Sequence, residues 1–78
     1  MKLAINSGSL KVDFEENEYN GQSYEIGGER LSNGNFWVHK GRIRKIFPSV
    51  QKPTIEEVQF IIEALEKYCA DKSFKIEF

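Results

Sequence analysis

The sequence predicts an α+β domain: an antiparallel sheet of five or six short strands, packed on one face by a single helix at about residues 54–70, with a final strand after it. Three observations lead there. Leu10, Val12 and Phe14 alternate with Lys11, Asp13 and Glu15, the period of a half-buried strand. Ile55, Val58, Ile61, Ile62, Leu65, Tyr68 and Cys69 fall in one stripe at helical spacing. Most connections between apolar runs are too short for crossovers, which favours antiparallel pairing.

Lys2 to Ile5 is the first strand, with Leu3 and Ile5 on one face. Asn6-Ser7-Gly8 reads as a turn, so this strand and the alternating run after it form a hairpin. Residues 15–21 make an acidic loop closed by Asn20-Gly21. Tyr24 and Ile26, alternating with Ser23 and Glu25, give a third strand. Gly27 to Asn35 reads as a loose loop.

Phe36 to Phe47 holds the single Trp, the single His and four of the eleven basic residues. A turn centred on Lys40-Gly41 divides it into strands at about 35–39 and 42–47. With a loop of two residues, or of four at the same register, Trp37 faces Arg44 and His39 faces Arg42. Phe36, Val38, Ile43 and Phe47 then point to the core, and Trp37, His39, Arg42, Arg44 and Ile46 point away from it. Pro48 stops the strand. Thr54, with Glu57 three residues on, forms a capping box that opens the helix. Phe74, Ile76 and Phe78 alternate in the last strand. Either the first or the last strand lies at a sheet edge, where a partner or a second copy can pair.

Seventy-eight residues with 40% hydrophobic and 29% charged composition make one folded domain, 1–78, rather than a disordered chain. The lone Cys69 excludes an intrachain disulfide framework and points to a reducing, cytoplasmic setting. Met1 to Asn6 carries no secretory pattern. No apolar stretch approaches the ~20 residues that span a bilayer, so no membrane role is expected. The net charge of −1 selects no partner, but its layout is uneven: residues 39–52 hold five bases and no acid, between two segments each with three bases and six acids.

No nucleotide fingerprint, metal-ligand spacing or nucleophile–base grouping occurs, so no catalysis, metal or cofactor is expected. The expected function is a non-catalytic macromolecule-binding module. A protein partner is favoured, and an inhibitor or modulator of the kind that phage and other mobile elements carry is the expected role. Trp37, His39, Lys40, Arg42 and Arg44 are the candidate contacts, with Lys45 extending their positive field. Phe60, on the polar side of the helix between Glu56, Glu63 and Lys67, is a further contact point, unless a loop folds over it. The alternative is single-stranded nucleic-acid binding by the basic aromatic hairpin 36–47, with bases stacking on Trp37 and arginines holding phosphates.

Overall fold

Leu10, Val12 and Phe14 are all buried, as a strand with one apolar face requires, and the sheet is built outward from them. The computed structural model describes all 78 residues. Its sheet has five strands in sequence order: β1 (Lys2–Ile5), β2 (Ser9–Asp13), β3 (Ser23–Arg30), β4 (Phe36–Phe47) and β5 (Ile76–Glu77). Helix α1 (Glu16–Tyr19) joins β2 to β3, and helix α2 (Ile55–Cys69) joins β4 to β5. The α+β class and the single long helix followed by a strand are as the sequence predicts. β1 and β5 are the sheet edges.

The expected N-terminal hairpin forms, with Lys2 opposite Asp13 and Ile5 opposite Leu10. The acidic loop contains one helical turn. The Glu18 carboxylate accepts the Glu15 backbone N–H at 2.7 Å while Glu15 caps in return, and Asn20 (φ 52°) and Gly21 (φ 64°) end the turn. β3 runs on through Gly27-Gly28 to Arg30, which narrows the expected loop to residues 31–35. The two glycines are close-approach positions, not loop formers. A Cβ on Gly28 would stand 2.0 Å from the Trp37 carbonyl oxygen.

No chain reversal occurs at Lys40-Gly41. Residues 36–47 form one long strand, β4, antiparallel to β3. Ile26 pairs with Ile43 and Gly28 with Val38, so Gly27 alone stands opposite the four residues His39–Arg42, a large bulge. The bulge explains why the expected facing survives. Val38 and Ile43 are an odd number of residues apart, so a regular strand would turn them to opposite faces. The extra residues restore the phase, and Phe36, Val38 and Ile43 are all buried.

β5 pairs with β4 in parallel, Phe36 opposite Ile76 and Trp37 opposite Glu77. The other three strand pairs are antiparallel. The reason is that α2 itself is the crossover, long enough to return the chain to the same end of the sheet. The sheet core of Leu10, Val12, Phe14, Tyr24, Ile26, Phe36, Val38 and Ile43 closes against Ile61 and Leu65 of α2. Each such side chain contributes on the order of 1.5–3 kcal/mol by leaving water. Phe47, expected in this core, is 57% exposed. It pairs with Ser23 at the end of the sheet, where Lys45 and Glu57 occupy the inner face.

Glu57 does two jobs. It completes the capping box, since its N–H donates to Thr54 Oγ1 at 3.1 Å and its carboxylate accepts the Thr54 N–H at 2.9 Å. The same buried carboxylate accepts the Tyr24 hydroxyl and lies 2.9 Å from Lys45 Nζ. Burial alone would raise its pKa. The Thr54 N–H, the Tyr24 hydroxyl and Lys45 outweigh that and hold it at about 2. Burial and the Glu57 carboxylate push the Tyr24 hydroxyl up. No buried side-chain nitrogen or oxygen is left without a partner.

Candidate functional site

A sheet with α2 on one face leaves the other face open, and the alternation of β3 and β4 decides what stands there. β3 contributes Glu25, Gly27 and Glu29. β4 contributes Trp37, Arg42 and Arg44. The cross-strand pairs are Lys11 with Glu25, Glu25 with Arg44, and Glu29 with Trp37. Trp37 also pairs with Glu77 of β5. The expected pairs Trp37/Arg44 and His39/Arg42 do not form, because they require the hairpin that the bulge replaces.

The four bases of the 39–52 run that lie on β4 have distinct fates. Arg44 donates Nε and Nη2 to Glu25 Oε1, at 3.1 and 2.7 Å. Lys45 does not extend the positive field: its side chain turns inward, is 12% exposed and is neutralised by Glu57. Parity places it there, on the same side as Ile43. Lys40 carries its ammonium 5.7 Å from the centre of the Phe78 ring, within cation–π reach. Arg42 makes no ion pair and no side-chain hydrogen bond. Its guanidinium lies over the backbone of Gly27, where a Cβ would stand 2.9 Å from Nε.

Trp37 is 37% exposed. The His39 ring meets it edge-on, with centroids 5.5 Å apart. His39 Nδ1 accepts the Gly41 N–H at 3.2 Å, which helps to hold the bulge, and no carboxylate hydrogen-bonds to this imidazole. No group of three or more His, Cys, Asp or Glu side chains stands where it could hold a metal ion.

Phe60 is separate from this surface. It lies on the helix side of the sheet, stacked on Tyr19 at 4.6 Å and tilted against Phe14 at 5.3 Å. The segment packed against it is α1, through Tyr19, and Phe60 stays 37% exposed, as much as Trp37. Trp37, His39, Arg42 and Arg44 thus gather around the exposed part of β4 with Lys40 in the bulge, while Phe60 anchors an aromatic cluster with Phe14, Tyr19 and Tyr24.

Sequence reasoning missed Glu25, Glu29 and Glu77 as members of the face. The Ser23–Ile26 alternation carried the signal for Glu25, but the other two depend on β3 continuing through the glycines and on β5 joining in parallel. No helix is long and apolar enough to cross a membrane. Comparison with protein-family models, curated proteins and solved structures finds no match to this chain.

Proposed function

We propose that the chain is a non-catalytic protein-interaction module that inhibits or modulates a partner protein through the open face of its sheet. The observation behind this reading is an exposed Trp37 whose cross-strand neighbours are Glu29 and Glu77, on the same open face as an arginine, Arg42, that has no acid of its own. Trp and Arg are the residues that most often anchor protein interfaces, and a mixed-charge rim around an aromatic suits a protein surface. A reducing, cytoplasmic setting belongs to the same proposal and rests on the lone buried Cys69.

Single-stranded nucleic-acid binding is the second reading, favoured by the exposed His39, Lys40 and Arg42 on the same strand as Trp37. The acids count against it. A base stacked on Trp37 would bring its phosphates past Glu29 and Glu77, and both Arg44 and Lys45 already have carboxylate partners.

Affinity capture from the native host separates the two. The unmodified chain is expected to retain a specific protein, and Trp37→Ala with Arg42→Glu to reduce its recovery at least about tenfold, the loss of a single strong contact. Oligonucleotides are expected not to bind at ~50 mM salt. A protein retained equally by the double variant would rule out this face, and salt-sensitive oligonucleotide binding lost in Trp37→Ala would establish the second reading instead.

A further inference from the structure

The open face is not flat. Gly8, Ser9, Glu25, Gly27, Arg42 and Arg44 line a polar groove of ≈ 500 Å³ that crosses β3 where Gly27 stands opposite the bulge. Its shape follows from missing side chains. A Cβ on Gly27 would crowd Arg42, at 2.9 Å from Nε and 3.1 Å from Cζ, whereas a Cβ on Gly8 would meet nothing within 4 Å. The first glycine gives the Arg42 guanidinium a backbone surface to lie on. The second leaves one wall open to an incoming group.

The charges in the groove do not cancel. Arg44 has committed Nε and Nη2 to Glu25. That pair is neutral as a unit, so Arg42 leaves a net charge of +1 with its planar set of N–H donors unused. Ser9 adds a hydroxyl that accepts the Asn6 amide at 3.5 Å, so the Ser9 proton is free to be donated.

We propose that this groove is a carboxylate subsite, in which Arg42 forms a forked pair of hydrogen bonds with the side chain of an Asp or Glu on the partner protein. This rests on the protein-interaction reading above and adds the chemistry of the partner's contact. A single carboxylate matches the uncompensated charge and the fork geometry. A nucleic-acid strand would satisfy Arg42 with one phosphodiester, but its neighbouring phosphates would run on past Glu29, which, unlike Glu25, has no basic partner. A lone carboxylate meets no such repulsion. The Gly27 seat restrains the guanidinium before binding, which reduces the ordering cost of the contact.

The test is NMR titration of the full chain with sodium acetate replacing sodium chloride at constant ionic strength, then with a short blocked peptide containing one Asp and its Asn counterpart. Acetate and the Asp peptide are expected to shift the Arg42 Nε–H and the Gly8, Ser9 and Gly27 amides saturably, and the Asn peptide to leave them in place. Arg42→Gln, a change at an exposed side chain, is expected to weaken binding at least about tenfold, as for loss of charged hydrogen bonds. Gly27→Ala, which keeps the charge and lifts the guanidinium, is expected to weaken it too. Equal shifts in Arg42→Gln, no response beyond that to chloride, or saturation at these residues by an oligothymidine but not by acetate would each overturn the subsite. If acetate fails while a partner protein still depends on Trp37, only this inference falls and the interaction reading stands.

Discussion

Gly28→Ala is expected to destabilise the domain by about 3 kcal/mol or more, the upper end of the range for overpacking. A Cβ at this position would lie 2.0 Å from the Trp37 carbonyl oxygen and 2.6 Å from the Phe36 ring. Neither can yield cheaply. The oxygen belongs to the backbone of β4, and Phe36 is a buried core residue. The only relief is to part β3 from β4 beside the bulge, which breaks the central pairing of the sheet. A domain of this size has roughly 4–10 kcal/mol in total. At about 4–8 °C per kcal/mol, the melting temperature should fall by more than about 12 °C. Gly8→Ala is the control, since nothing lies within 4 Å of its Cβ position, and it should leave the midpoint within about 0.5 kcal/mol of the parent. A Gly28→Ala chain that melts with the parent would mean that β3 and β4 do not approach as described.

Glu57→Gln is expected to have an effect of similar size, about 3 kcal/mol, because it leaves Lys45 charged and unpaired where its side chain is only 12% exposed. The single amide oxygen can still accept the Thr54 N–H, while the amide N–H can donate to the Tyr24 hydroxyl oxygen, so the lost charge dominates. Adding Lys45→Met to Glu57→Gln should restore stability to within about 1 kcal/mol, because removing both charges is far less harmful than removing one. The same pair predicts a pH dependence. The folded-state pKa of Glu57, about 2, lies below its ordinary value of 4.5. Its contribution is therefore complete above about pH 4.5 and is lost as pH falls towards 2. The gap between parent and Glu57→Gln in urea titrations should be widest near neutrality and narrow steadily below pH 4.5. A gap that is absent, or constant down to pH 3, would contradict the pairing.

The core was legible because it rests on local periodicity. Alternation along β2 names Leu10, Val12 and Phe14, the helical stripe of α2 names Ile61, Leu65 and Cys69 although its first member, Ile55, is exposed, and the Thr54–Glu57 box marks the helix start. The bulge was not legible for a definite reason. A two-residue hairpin and a four-residue bulge both reset the alternation between Val38 and Ile43, so both place the same side chains inside. They differ only in whether the chain reverses, which the pairing with β3 decides. Gly27-Gly28 misled in the same way. Paired glycines are turn signals by composition, but here they admit Arg42 and the Trp37 carbonyl. The direction of β5 depends on where a helix of this length returns the chain. The candidate site inherits these gaps. Its aromatic and basic members stand in one run, while the carboxylates that temper them come from β3 and β5.

Site-specific photo-crosslinking tests the interaction surface most directly. Trp37→p-benzoylphenylalanine places the probe on the open face, and Glu66→p-benzoylphenylalanine places it on the exposed side of α2. In extract from the native host, position 37 should yield one dominant crosslinked protein that disappears when Arg42→Glu is added, and position 66 should yield none. The same product at both positions, or a product at position 66 alone, would contradict the assignment of the open sheet face as the surface through which this domain binds its partner.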